Sequence, residues 1–164
     1  MSANINECIG EYTAILKSGR MQAAYKAILE SLGKARNAIQ SSRSQYEVGG
    51  GIYQGYMDMS YFSLTTPFLK ERQLKIAVVY VHDKGAFEAW LSARNRKVLR
   101  EYAGYFGNDA LLKISAFHDP LNADAIAEYT LSQLSDFSDQ AVLTNQILSG
   151  TDAFVSAVMQ TIGK

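Results

Sequence analysis

The residues best suited to do chemistry in this sequence lie between Tyr46 and Phe106. Twelve of the eighteen aromatic residues fall in this stretch, together with Asp58, His82 and Arg94. A histidine can carry a proton near neutral pH, and an arginine can pair with a carboxylate or hold an anionic ligand. The sequence contains no Gly-x-Ser-x-Gly elbow and no Walker lysine. A site is therefore expected here, but no motif names its reaction.

Alternation along the first strand-like run predicts how two of these side chains meet. Residues 52–64 are rich in aromatic and β-compatible types and predict one long strand, with Tyr56 and Asp58 on the same face. If an antiparallel hairpin pairs residue 64 with residue 74, Tyr56 lies opposite His82 and Asp58 lies opposite Tyr80. Asp58 and His82 are then diagonal neighbours, roughly 7–8 Å apart at the backbone.

Arg94 is expected on a long amphipathic helix over residues 84–106, beside the apolar stripe of that helix, with Asn95 at the other edge. A guanidinium on an apolar face needs a partner or a wet pocket, and Asp58 is the obvious partner. Two interpretations stay open: an Asp58–Arg94 salt bridge that locks helix to sheet, or a pocket in which Arg94 and Asn95 donate to an anionic or carbonyl-bearing ligand. In the second, the predicted ligand-binding residues are Tyr56, Asp58, Tyr80, His82, Trp90, Arg94 and Asn95.

Histidine and carboxylate spacing argues against a metal centre. His82 ends a strand just before the expected helix, where it could carry a proton, bind a ligand, cap the helix or face solvent. The only other histidine is His118, and no carboxylate stands at the short fixed spacing of a helical zinc or di-metal site. Neither a metal nor a cofactor is expected.

A metal-dependent nuclease is the alternative function. The element order, and Asp58 followed by Gln73-Leu74-Lys75, loosely resembles the Asp…(Glu/Gln)-x-Lys pattern of restriction-endonuclease-like nucleases. Magnesium needs a second carboxylate, for which only Glu71 is at hand, and the expected register points Lys75 away from Asp58.

The predicted scaffold is one α+β domain over residues 1–164, with a small, mainly antiparallel sheet of three or four strands packed by helices from both ends of the chain. Two helices, separated by Lys17-Ser18-Gly19, are expected before a central strand at Leu74–Val81. Further expectations are a possible strand at 111–117, a helix over 123–134 and a last helix from Ser138 or Asp139 to Ile162.

Composition narrows the setting. The 164 residues carry no net charge, but residues 70–100 hold eight basic and three acidic groups while residues 101–164 hold two and eight. Because the acidic tail weakens any basic field, nucleic acid is an unexpected partner. The single cysteine, Cys8, is expected to be buried on an apolar helix face. The first residues lack a signal pattern, so a cytoplasmic protein without a membrane partner is expected. A homo-oligomer is compatible with the sequence.

Three blocks carry a family resemblance: Gly55-Tyr56-Met57-Asp58-Met59-Ser60-Tyr61-Phe62, then Leu74-Lys75-Ile76-Ala77-Val78-Val79, then Phe87-Glu88-Ala89-Trp90-Leu91-Ser92-Ala93-Arg94-Asn95. They resemble the signature of an uncharacterised bacterial family of small cytoplasmic proteins. The resemblance implies the same fold, directs attention to Tyr56, Asp58, Trp90, Arg94 and Asn95, and brings no substrate. The favoured hypothesis is a domain that binds a small polar or anionic ligand or a protein partner; a structural, self-associating protein is a third possibility.

Overall fold

The computed structural model describes residues 2–106, 114–133 and 135–163, which form an α+β fold on a five-stranded antiparallel sheet. The strands follow one another in space in chain order: β1 (Glu47–Val48), β2 (Met59–Thr65), β3 (Leu74–Val81), β4 (Ala86–Ala93) and β5 (Ala127–Gln133). The α+β class and the antiparallel pairing are confirmed. The expected strand number, three or four, was too low.

The described ranges contain five helices: α1 (Ile5–Leu16), α2 (Arg20–Ser42), α3 (Pro67–Glu71), α4 (Arg96–Ala103) and α5 (Gln140–Ile162). Local signals set their ends. Gly19, at φ 74°, separates α1 from α2, and the side chain of Asp139 caps α5 by accepting from Val142. The two N-terminal helices and the last helix are therefore confirmed. No helix in the described ranges is long and apolar enough to cross a membrane.

β3 is the central strand, as predicted, and is buried on both faces. On one face Ile76 and Val78 pack into the main core with Phe62, under α2 and α5. On the other face Ala77 and Val79 pack in a smaller cluster with Trp90 and Ala125. A strand that is buried on both faces does not alternate between apolar and polar residues. It therefore has the sequence of a continuous apolar run.

The long helix predicted over 84–106 is wrong. A turn at Gly85, with φ 63°, folds the chain back so that β4 pairs with β3 along its whole length, and only Arg96–Ala103 is helical. In β4 the residues from Ala86 to Leu91 are all buried. Burial on both faces removes the period of two, so the spacing of its apolar residues also fitted a helix.

The helix predicted over 123–134 is also wrong, because Ala127–Gln133 pairs with β4 as strand β5. Of the possible strand at 111–117, residues 111–113 lie outside the described ranges. Phe117 makes an isolated antiparallel bridge with Glu128. Leu134 is not among the described residues.

The register of the first hairpin differs from the expected one by two residues. Leu64 pairs with Ile76 rather than with Leu74, and Ser60 rather than Asp58 lies opposite Tyr80. A shift of two keeps every side chain on its expected face, whereas a shift of one would have reversed them all. The long strand expected over 52–64 is reduced to Met59–Thr65, preceded by an isolated bridge at Tyr53.

Helices α1 and α2 form a hairpin that extends beyond the sheet. α1 packs on α2 and has no buried residue of its own, and burial in α2 begins only at Ser31. The expected burial of Cys8 is wrong, because its thiol is exposed. The amphipathic pattern of α1 was read correctly, but the described part of the chain does not cover its apolar face.

Candidate functional site

His82 lies at the end of β3 in a chain of hydrogen bonds that determines which ring nitrogen carries the proton. Its Nε2 lies 2.9 Å from Ser60 Oγ. Ser60 donates its only hydroxyl proton to the carbonyl of Gln54 at 2.5 Å, and the Tyr25 hydroxyl donates to the same carbonyl at 2.5 Å. Ser60 must therefore accept from His82, so Nε2 carries the proton. The other nitrogen, Nδ1, makes no hydrogen bond to a described residue and is the acceptor of the neutral ring.

Two tyrosines hold the imidazole from different sides. Tyr25 stacks on the His82 ring with centroids 5.2 Å apart, and Tyr80 meets it edge-on at 5.0 Å. Burial in this aromatic setting lowers the pKa of His82, and the nearby carboxylates of Asp58 and Asp83 offset only part of that effect. The ring is therefore neutral at pH 7, so it can accept a hydrogen bond or a proton there.

Asp58 shapes the loop before β2 and pairs with no cation among the described residues. Its Oδ1 accepts from the backbone N–H of Met59 at 2.7 Å and of Tyr56 at 3.0 Å. These two bonds favour the ionised form and lower the pKa of the carboxyl. Its backbone carbonyl accepts from the N–H of His82, so the predicted proximity of the two residues is present, through the main chain. Asp58 therefore fixes the backbone of Tyr56 in the loop that meets the end of β3 at His82.

The helical hairpin and this loop enclose an open cleft of about 1090 Å³, which we call the hairpin cleft. His82 is part of its wall. Most of the other lining side chains are apolar or aromatic, and they include Tyr12, Ile15, Leu16, Met21, Ala24, Tyr25, Ile28, Leu29, Tyr56 and Met57. The polar side chains of the wall, besides His82, are Gln22, Lys26 and Glu30. Lys26 and Glu30 form an ion pair with their charged atoms 3.9 Å apart. A mostly apolar wall with few polar groups is typical of small-molecule sites.

Arg94 and Asn95 lie far from this cleft. The N–H of Arg94 bonds to the carbonyl of Gln73, at the opposite end of β3 from His82, so roughly 30 Å of strand separates Arg94 from Asp58. The two do not form the salt bridge considered above. Asn95 caps α4, because its side chain accepts from the N–H of Val98 at 3.0 Å. Arg94 is exposed, and its solvated guanidinium needs no buried partner.

Trp90 lies on the other face of the sheet from His82, beside two buried carboxylates. Its indole N–H donates to Glu88, which is 1% exposed and also contacts the ammonium of Lys84 at 3.4 Å. Glu128, also 1% exposed, lies opposite Trp90 on β5 and accepts from Asn122 and from the backbone of Asp119. Of the three aromatic rings among the predicted ligand-binding residues, Tyr56 and Tyr80 therefore lie on the side of His82, and Trp90 lies on the other face.

Glu128 also contacts His118 Nδ1, at 3.1 Å, so three donors from one loop converge on a single carboxylate. Burial raises the pKa of Glu128, and the bonds from His118, Asp119 and Asn122 offset part of that rise. The carboxylate thus anchors the 118–122 loop against β5. A buried glutamate in a strand is rare, and the sequence pattern did not reveal it.

The nuclease-like pattern is not assembled. Asp58 lies opposite His82 at one end of β3, and Lys75 lies at the other end, roughly 23 Å away along the strand. Glu71 belongs to α3, which precedes that far end. Within the described ranges, no group of three or more histidine, cysteine or acidic side chains is placed to hold a metal ion.

Sequence analysis did not identify Ser60 and Tyr25 as site residues, and it expected the apolar face of the first helix, with Cys8, to be buried. The predicted alternation places Ser60 on the same strand face as Asp58, and this pattern could have identified Ser60 as a site residue. Tyr25 contacts the site from α2, 57 positions before His82, and no spacing rule connects them. Of the seven predicted site residues, the structure brings together Tyr56, Asp58, Tyr80 and His82, while Trp90, Arg94 and Asn95 lie elsewhere.

The lowered pKa of His82 should appear in both its titration and the stability of the protein. With two histidines in the chain, proton NMR should show one imidazole, absent in His82→Gln, that titrates below 6.5. The unfolded chain binds that proton at higher pH than the folded one. The neutral His82 ring therefore contributes to the free energy of unfolding, and this contribution is fully present above pH 6.5. It is lost as the pH falls through the lowered pKa.

Two variants control this measurement. His82→Gln should lack this part of the pH dependence of stability, and His118→Gln should keep it. A His82 signal that titrates at or above 6.5 would contradict the assignment of a neutral, buried acceptor.

Comparison with known proteins yields one family. A family model described as "Domain of unknown function (DUF7000)" matches residues 5–162. No curated protein and no solved structure matches the chain.

Proposed function

The chain belongs to the family described as "Domain of unknown function (DUF7000)", and since that description names no activity, we propose from the hairpin cleft that the protein binds an amphipathic small molecule. The apolar part of the ligand lies between α1 and α2, and a hydroxyl or amide N–H donates to His82 Nδ1. The observation that carries this proposal is the apolar cleft with one fixed, neutral imidazole in its wall. A cytoplasmic bacterial setting belongs to the same proposal and rests on the sequence resemblance.

The shape and chemistry of the cleft favour this ligand class. A volume of about 1090 Å³ is slightly above the usual range of small-molecule sites, roughly 300–1,000 Å³, so the cleft has room for an extended apolar chain. The sequence led us to expect a polar or anionic ligand, but Lys26, the one cation among the described wall residues, lies 3.9 Å from the carboxylate of Glu30. A neutral head group that donates a hydrogen bond therefore suits the cleft better than a carboxylate or phosphate does. Apolar burial supplies the affinity, and His82 selects the head group.

A displacement assay tests the proposal. Nile red should bind to the wild type with increased fluorescence, and octanol should displace it better than octanoate or octane. Ala24→Trp places an indole in the cleft and should reduce the affinity for Nile red at least tenfold, or about 1.4 kcal/mol. Ala23→Trp is the matched control, because Ala23 is exposed on the same helix and does not line the cleft.

His82→Phe distinguishes the contribution of apolar burial to ligand affinity from that of the hydrogen bond to His82. It keeps an apolar ring but removes the acceptor, so it should preserve Nile red binding and abolish the preference for octanol over octane. One hydrogen bond is worth about 0.5–1.5 kcal/mol, so the preference should change by roughly two- to twelvefold. Equal Nile red affinity in the wild type and Ala24→Trp would contradict the proposal.

A further inference from the structure

The apolar surface of this protein is concentrated at the helical hairpin. Eleven large apolar side chains are exposed in the described ranges, and four of them lie elsewhere: Tyr53, Tyr105, Leu121 and Val142. The other seven lie on α1, at the start of α2 and in the loop before β2: Ile5, Ile9, Tyr12, Ile15, Met21, Tyr56 and Met57. We call these seven the hairpin patch. An apolar concentration of this kind marks an interaction surface.

We infer that the hairpin patch is the contact surface of a homodimer, in which α1 of each copy packs antiparallel on α1 of the other. The area is sufficient. The seven side chains are 47–87% exposed. At roughly 100 Å² each, about half of what a large buried side chain covers, they present roughly 700 Å². A stable interface takes about 600–1,000 Å² from each partner, a range that includes the patch, and the patch exceeds the largest patch of a typical monomer, about 300–600 Å².

The charges around α1 suit a second copy in the antiparallel direction. Glu7 and Glu11 lie in the first two turns, Lys17 and Arg20 lie where α1 ends and α2 begins, and none of the four is in an ion pair with another described residue. A two-fold axis across α1 brings the acidic end of each copy to the basic end of the other. A parallel arrangement would bring like charges together.

The second copy would also cover the open side of the hairpin cleft, since Tyr12 and Ile15 belong to both the patch and the cleft wall. In that respect the inference rests on the proposed ligand site, whereas the association itself does not depend on any ligand. Ile9 belongs only to the patch. Changes at Ile9 therefore test the dimer, and changes at Ala24 test the ligand site.

Sedimentation equilibrium of the whole chain without ligand tests the dimer. Across the micromolar range the wild type should have twice the 18.1 kDa chain mass. Ile9→Asp should weaken association roughly a hundredfold, because each copy loses a buried isoleucine and gains a buried charge. Val142→Asp is the matched control: Val142 is 51% exposed and Ile9 is 55% exposed, and Val142 lies on α5 outside the patch. This variant should remain a dimer.

Charge exchange tests the direction of packing. Glu7→Lys with Glu11→Lys should weaken the dimer, and adding Lys17→Glu with Arg20→Glu should restore it. A wild type that is monomeric at every concentration would overturn the inference, as would equal loss of association in Ile9→Asp and Val142→Asp. Failure of the exchange to restore association would overturn the antiparallel arrangement. Nile red binding that persists in monomeric Ile9→Asp would show that the ligand site stands without the dimer.

Discussion

Val79→Asp should abolish folding, with no cooperative melting transition and little soluble protein. Val79 is 0% exposed in the middle of the central strand, between Tyr61 on β2 and Glu88 on β4. An aspartate there would be buried directly opposite the buried carboxylate of Glu88, without a cation of its own. An unpaired buried charge costs several kcal/mol, which is comparable to the total stability of a typical domain, about 5–15 kcal/mol.

The comparison needs the same substitution at an exposed position. Val142→Asp changes an exposed residue of α5 and should alter the free energy of unfolding by less than about 0.5 kcal/mol. Circular dichroism and Trp90 fluorescence during heating measure both variants. A Val79→Asp protein that melts cooperatively near the wild-type temperature would refute the burial of β3 on both faces.

Gly55→Ala should destabilise the protein and disrupt the hairpin cleft. Gly55 has φ 78°, where a side chain is strained, and a Cβ placed there would lie 1.9 Å from the carbonyl oxygen of Met59. That oxygen belongs to the backbone at the start of β2, so it cannot move without shifting the strand. Strain and overlap together should cost roughly 2–4 kcal/mol. The displaced loop would move Tyr56 and Met57, so Nile red affinity should fall as well.

Gly51→Ala is the control for this change. Nothing lies within 4 Å of a Cβ at Gly51, and its φ is outside the left-handed region, so its stability should match the wild type within about 0.5 kcal/mol. Urea unfolding measures both variants. Equal stability of the two alanine variants would mean that the loop adopts another conformation than the one described.

Elements with a local signal were predicted well. α1 and α2 follow from apolar spacing and Gly19, and α5 follows from its period and the cap at Asp139. The continuous apolar run of β3 is short and rich in β-branched residues, which favours a strand over a buried helix. These signals were sufficient because each depends on neighbours a few positions away in the chain.

β4 and β5 were missed because their pattern depends on partners that are distant in the chain. In a sequence, Glu88 and Glu128 indicate solvent-facing positions, since glutamate is seldom buried. In the structure each carboxylate is buried against donors from its surroundings, among them Trp90 for Glu88 and Asn122 for Glu128. The charged residues therefore gave the two strands the apparent period of amphipathic helices.

The sequence alone determined the helices of both ends, the central strand, the α+β class and the choice of Asp58 and His82 as neighbours. Only the tertiary structure decided what these residues contact. Because β4 runs antiparallel to β3, Arg94 lies at the opposite end of the sheet from His82. Because α2 packs on the face of the sheet that contains Tyr80, Tyr25 stacks on His82. Local propensity depends on residues a few positions apart, whereas a site depends on strand order, register and helix placement, which arise from the energy of packing the whole chain.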